Sequence, residues 1–305
     1  MLYFRSLLLI FICYTAPALA SSNTNKLSDE TCQKMINVGV MSSDAPVQCD
    51  RLRQVNFEYI DFKGTRHKDG VMIVMDAVAP YIANIFESLY KLHFPIHRAR
   101  PISFYQGDDN QSMDDNNSSA FNYRAITGSI GGRSLSLHAY GLALDINPIQ
   151  NPFIEFNQSG SATFSPANGV NYANRMHYRL GKQQAEGFAE EVVAVFADNG
   201  FLYWGGFWNK PIDYQHFQVS RSMANLMSIM SGDEAKLFFT QYVDWYRSCK
   251  AMYPVAHAQH RGNDYVYYLQ NRLASKSLSD TYRQTPEKVL SAIQTPFQRS
   301  AICVK

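Results

Sequence analysis

The sequence predicts an α+β domain carrying a mostly helical C-terminal extension, and three observations lead there. Several short segments alternate like strands, two of them facing each other across a glycine pair. Two other segments repeat apolar residues every three or four positions, as a half-buried helix does, and further helical patches follow beyond about Ser222. A chain of 305 residues, 46% hydrophobic and 18% charged, can bury one sizeable core. Its net charge of +2, spread without a basic stripe, argues against nucleic acid as a partner.

Residues 1–20 read as a cleaved export signal: Arg5 precedes the apolar run Leu7 to Cys13, and Ala18-Leu19-Ala20 offers small residues for cleavage. That run is too short to span ~30 Å of hydrocarbon, so no stable membrane span is expected after cleavage. Cys13 follows Ile12 rather than a small residue, which argues against a lipoprotein. The mature chain is expected in the periplasm or outside the cell. There Cys32, Cys49, Cys249 and Cys303 form an even set for disulfides. Three pairings are possible; Cys32 with Cys49 and Cys249 with Cys303 are favoured because each pair lies within one terminal region.

Residues 21–54 are polar and weakly patterned, an N-terminal arm tied by a disulfide. Phe57 to Phe62 alternates like a strand. Val78, Ile82, Ile85, Leu89 and Leu92 then mark the clearest helix, with Asp76 placed to cap it and Pro95 beyond its end. Its Ser88-Leu89-Tyr90-Lys91 matches a serine carboxypeptidase motif whose companion motifs are absent. The stretch Gly107 to Ser119 lacks the full calcium-loop pattern and reads as a solvated loop. Phe121 to Arg124 reads as a strand. Arg124 is either a surface residue or a fork for a substrate carboxylate.

The chemistry concentrates at Ser136-Leu137-His138-Ala139-Tyr140-Gly141-Leu142-Ala143-Leu144-Asp145-Ile146-Asn147-Pro148. Gly141 permits a tight turn, and Leu142, Leu144 and Ile146 alternate with Asp145 on the opposite strand face. A carboxylate on a half-apolar strand needs a partner, and a divalent cation shared with His138 repays its desolvation. Tyr172, Met176 and Tyr178 suggest a short helix, with His177 structural. A second helix carries Phe188, Val192, Val195 and Phe196 and stops at Asn199-Gly200. Phe201 to Trp204 and His216 to Val219 form the expected hairpin around a long aromatic loop. Within it, Asp213 lies three residues before His216. Taken alone His216 reads as readily as a packed strand histidine; as a ligand it would complete, with His138 and Asp145, a set of three, and Asp213 is the spare carboxylate that would take the proton of an attacking water.

These segments resemble the zinc peptidases of the D-alanyl-D-alanine carboxypeptidase and L-alanyl-D-glutamate endopeptidase family. The resemblance runs from about Val55 to Val219 and includes Phe94-Pro95-Ile96, Asn116 to Asn122, Arg124, Asp145 to Pro148, Gln150-Asn151-Pro152 and Trp204-Gly205-Gly206. It implies a small antiparallel sheet with helices packed at one side, holding Zn2+ through His138, Asp145 and His216. By the same resemblance Asp213 is the catalytic general base, Ser136 and Arg124 contact substrate, and the partners are peptidoglycan stem peptides. The chain departs from many relatives in having aspartate rather than glutamate at 213, and tyrosine rather than cysteine at 123. The alternative implied is a zinc-containing cell-wall binding module without turnover, as in related hedgehog domains; a carboxylate at 213 favours catalysis.

The expected organisation is thus a signal at 1–20, an arm at 21–54, a zinc peptidase domain at 55–220 and a helical extension at 221–305. In the extension, Phe238, Tyr242, Trp245 and Cys249 share a helical stripe whose start Asp233 could cap. Patches at Tyr265 to Leu273 and Pro286 to Ile293 follow, and His257 and His260 read as exposed.

Overall fold

The structure is a computed structural model that describes residues 22–126, 134–176, 178–181, 185–251, 263 and 265–269. His177, His257, His260, Cys303 and the segments 1–20 and Pro286 to Ile293 lie outside the described residues. The fold is mixed α and β with small antiparallel sheets.

The first sheet joins β1 (Asn23–Lys26), β2 (Leu52–Ile60) and β3 (Arg66–Met75), all antiparallel. The arm therefore donates a strand, and β2 begins five residues before the expected Phe57. Between β1 and β2, helix α1 (Asp29–Asn37) is capped by Ser28, whose hydroxyl accepts the Thr31 N–H, and the Cys32–Cys49 disulfide closes the segment.

Helix α2 (Ala79–Lys91) buries Ile82, Ile85, Phe86 and Leu89 against this sheet. Phe86 stacks on Phe57, centroids 3.6 Å apart, and across the ladder from Phe57 sits Gly70, where a Cβ would come within 2.6 Å of that ring. The absence of a side chain at 70 makes room for the aromatic pair. Asp76 does not cap α2. Arg51 takes its carboxylate at 2.8 and 3.1 Å, so Val78 starts the helix without a side-chain cap and Pro80 occupies the first turn.

Two short parallel strands follow, β4 (Arg98–Ala99) and β5 (Asn117–Ser118). The expected solvated loop instead holds helix α3 (Asp109–Asp114), because Asp108 caps it through the Asn110 and Gln111 amides, and Asn116 to Ser119 are buried. Phe121 to Arg124 forms no strand. Its amides bond single carbonyls of different segments, Phe121 to Ile73, Asn122 to His138 and Tyr123 to Val40, so no ladder propagates.

The central sheet orders β6 (Ala143–Asp145), β11 (His216–Gln218) and β9 (Tyr203–Trp204), with β11 antiparallel to both neighbours, so the expected aromatic hairpin is present. Its loop contains β10 (Ile212–Asp213), which pairs with β7 (Phe153–Phe156) beside β8 (Ala162–Ser165). The second helix is shorter than its apolar pattern suggested: a 3-10 turn at Ala189–Glu191 precedes α4 (Val193–Asp198). Likewise Ala167–Tyr172 is a 3-10 turn that ends before Met176. Phe196 of α4 stacks on Phe217 of β11 at 3.8 Å, which fixes the central sheet against the helix.

Helices α5 (Arg221–Ile229) and α6 (Gly232–Ala251) complete the core. The expected stripe of Phe238, Tyr242, Trp245 and Cys249 is buried, together with Phe239 and Tyr246. The start of α6 is a reciprocal capping box rather than an Asp233 cap: Ser231 N–H donates to Glu234 at 2.9 Å and Glu234 N–H to the Ser231 hydroxyl at 3.3 Å. Tyr81 of α2 donates to Thr240 at 3.0 Å, Lys250 pairs with Asp198 at 2.6 Å, and Arg51 reaches the Met230 carbonyl at 2.6 Å. These helices thus pack on the sheet-bearing part of the chain. Cys249 is disulfide-bonded.

Candidate metal centre

His138 lies on a 3-10 turn, Leu137–Tyr140, whose N-cap Ser136 accepts the His138 N–H at 3.3 Å. Gly141 ends the turn at φ +65°, where a Cβ would sit 2.6 Å from the Met75 amide nitrogen. Only glycine allows both the angle and this approach to β3. Strand β6 then carries Asp145 directly opposite His216 of β11, and Ser119 exchanges both backbone hydrogen bonds with Asp145, each at 2.9 Å. Register between two strands thus brings together residues distant in the chain. Both faces of β6 are buried, so Asp145 faces a closed interior.

One ligand atom from each of His138, Asp145 and His216 falls within 4.8 Å of the others. His138 Nδ1 meets the Ala120 carbonyl at 2.5 Å and His216 Nε2 meets the Gln218 side-chain oxygen at 2.8 Å. Those partners only accept, so each ring places its proton outward and turns its other nitrogen to the centre. Inside, His138 Nε2 and His216 Nδ1 lie 3.2 Å apart, and Asp145 oxygens lie 3.1 and 2.9 Å from them. Two lone pairs and a carboxylate then face one another with no donor between them. Such a buried arrangement requires a cation or extra protons. Two imidazole nitrogens and one carboxylate oxygen suit zinc, leaving a coordination position for water or substrate.

The electrostatics follow. Burial works to raise the Asp145 carboxyl, but His138 and His216 outweigh it and hold the group well below the usual carboxylate range. Burial works to lower the His216 imidazole, yet the hydrogen bond and charge of Asp145 raise it to about 8. For Asp213, burial dominates and pushes the carboxyl up to about 6; His216 opposes that rise and the charge of Asp145 adds to it. Asp213 Oδ1 is buried without a hydrogen-bond partner. Gly205 makes room for this residue, since a Cβ there would lie 2.4 Å from the Asp213 carbonyl oxygen. The ring of Trp208 lies 5.6 Å from that of His216.

Arg124 reaches the same neighbourhood through its backbone, whose carbonyl accepts the Ser136 N–H at 2.9 Å. Its guanidinium pairs with Asp109 of α3, and Asn122 donates to the same carboxylate at 2.7 Å. Asp109 was missed in the sequence because its stretch reads as a loop. Gln218 was also missed, although strand periodicity places it two residues after His216 on the same face.

Residues 130–219 match the family model described as D-alanyl-D-alanine carboxypeptidase. The family resemblance read from the motifs holds over that stretch. It contains Ser136, His138, Asp145, Asp213 and His216 and leaves Arg124 outside. No curated protein and no solved structure gives a significant match. The peptidase match supports a hydrolase that acts on peptidoglycan in general, in a family that is metal-dependent. Among the described residues, no helix is long and apolar enough to cross a membrane.

Proposed function

We propose that this chain is an exported zinc metallopeptidase that hydrolyses peptide bonds in peptidoglycan stem peptides, of the D-alanyl-D-alanine carboxypeptidase or L-alanyl-D-glutamate endopeptidase type. The observation that carries this reading is the pairing of two features. Three acceptor groups converge without a donor, and a separate half-buried carboxylate, Asp213, has a buried oxygen with no hydrogen-bond partner.

His138, Asp145 and His216 would hold the ion. When bound, zinc supplies Lewis acidity toward water and the scissile carbonyl. Asp213, raised to about 6, is ionised enough at neutral pH to accept the proton of the attacking water on its carboxylate, then release it to the leaving amine. Arg124 anchors a stem-peptide carboxylate, with Asp109 aligning its guanidinium, and Ser136 lines the cleft while fixing the His138 turn. The catalytic unit is residues 55–220, braced by the arm and by helices α5 and α6. Export agrees with the N-terminal signal pattern and the Cys32–Cys49 disulfide.

The test is mass spectrometry of purified muropeptides incubated with the zinc-loaded protein, with and without chelator. Loss of a terminal D-alanine, or scission after L-alanine, that stops with chelator supports the proposal. Asp213→Ala should retain zinc and lose cleavage. Zinc binding without cleavage by the intact chain would instead indicate a binding module, and chelator-resistant cleavage a serine enzyme.

A further inference from the structure

We infer that Arg175 is a positioning residue for Asp213, acting through the ring of Tyr214; the inference rests on the role proposed for Asp213. Nothing in the sequence pattern singles Arg175 out. Its side chain is only 14% exposed, and its guanidinium is satisfied around its whole edge. Nε and Nη2 fork onto the Glu190 carboxylate, Nη2 also reaches Asn151 Oδ1 at 2.9 Å, and Nη1 is shared between the Gln150 and Tyr172 carbonyls. Both faces are covered too. The ring of Phe188 lies 3.8 Å from the guanidinium carbon and that of Tyr214 4.3 Å. A planar cation held by its edge between two aromatic faces is a rigid spacer, and lysine cannot reproduce it.

What it spaces is the backbone of the site. Tyr214 follows Asp213 directly; its N–H donates to the Pro152 carbonyl at 3.3 Å and its carbonyl accepts Trp204 Nε1 at 2.7 Å. Asp213 itself pairs with Phe153 in the β10–β7 ladder. On the other side, Asn151 donates to the Ile146 carbonyl at 3.0 Å, one residue beyond the ligand Asp145. Arg175 therefore ties the segment leaving Asp145 to the segment bearing Asp213. This tie matters because Asp213 Oδ1 has no hydrogen bond to hold it. Beyond a hydrogen bond between its carboxyl and the Gln215 side chain, its position is set by its backbone, which the Tyr214 ring packed on Arg175 braces.

The experiment compares the zinc-loaded full chain with its Arg175→Lys, Tyr214→Leu and Tyr214→Phe variants. Two readouts are used: kinetics on purified muropeptides, and hydrogen exchange by mass spectrometry. Arg175→Lys and Tyr214→Leu should keep one zinc, lower kcat roughly ten- to a hundredfold and leave KM within about twofold, since misplacing a proton acceptor costs rate rather than binding. Exchange should rise across 210–216 and not elsewhere. Tyr214→Phe, which keeps the ring face, should restore most of what Tyr214→Leu loses. Unchanged kcat and exchange in Arg175→Lys would overturn the inference. So would exchange rising throughout the molecule, which marks a residue that only stabilises the fold. If Arg175→Lys fails to fold, the Tyr214 pair decides alone. If the intact chain cleaves no muropeptide, the functional reading fails, and localised exchange at 210–216 still tells whether Arg175 braces the Asp213 segment.

Discussion

Two polar clusters, Arg51 with Asp76 and His138 with Asp145 and His216, differ in their donor balance. At Arg51 and Asp76 a fork of N–H donors meets a carboxylate and the Met230 carbonyl, so every polar group has its complement. At His138, Asp145 and His216 the protons point outward to Ala120 and Gln218, and acceptors face acceptors. The first cluster is complete within the protein and joins β2, the start of α2 and the turn before α6. The second is incomplete without something positive from outside. Imbalance, more than burial, separates a site from a brace.

Substitutions can break this contrast. His138→Ala or His216→Ala should remove zinc binding and bring turnover to background, while the metal-free protein still folds; circular dichroism and metal analysis check both. Arg51→Ala should do the reverse. Asp76 then keeps only Arg53, 4.0 Å away, so the loss should be about 1–3 kcal/mol in urea unfolding, with zinc affinity unchanged once folded. A Gly141→Ala chain couples the two effects, because a Cβ 2.6 Å from the Met75 nitrogen at φ +65° strains the turn that carries His138. A loss of roughly 3 kcal/mol with weakened zinc binding is expected.

The smallest effect is a pH dependence of the metal-free protein. His216 is raised to about 8 from an ordinary value near 6.5, so its protonated form stabilises the fold. That contribution, on the order of 2 kcal/mol, is fully present below about pH 6.5 and is lost as pH rises through 8. Asp213, raised to about 6, acts in the same direction at lower pH, its contribution falling as pH rises through 6. Thermal stability of the metal-free protein should therefore fall from about pH 4 to 8, and His216→Asn should flatten the upper part of that fall, above about pH 6.5. Saturating zinc should flatten it too, since the ion replaces the proton.

How much of this was legible in the sequence depended on whether a feature is local. Gly141 and the alternation after it announced the turn and β6, and the aromatic flanks announced the β9–β11 pair. The convergence of His138 and Asp145 with His216 was suggested by ligand chemistry and carried by the family resemblance, since His216 alone reads as readily as a packed strand residue. Features set by tertiary pairing were not legible. Asp76 looks like a helix cap until Arg51, far away in the sequence, claims it. Residues 107–119 look solvated because Asp, Asn and Ser dominate, yet their amides build buried hydrogen bonds, such as Asn116 to Gln150 at 2.8 Å. Apolar periodicity at 188–196 overstated a helix that breaks into a 3-10 turn before Val193. Arg175 has no local signature because all its partners are assembled by the fold.

The central claim is that three inward-facing acceptors await one cation. Calorimetric titration of zinc into the metal-free chain tests it most directly, with His216→Ala alongside. One equivalent binding tightly to the intact chain, and no such binding in the variant, is the expected result. Undiminished one-to-one binding by His216→Ala, or none by the intact chain, would contradict it.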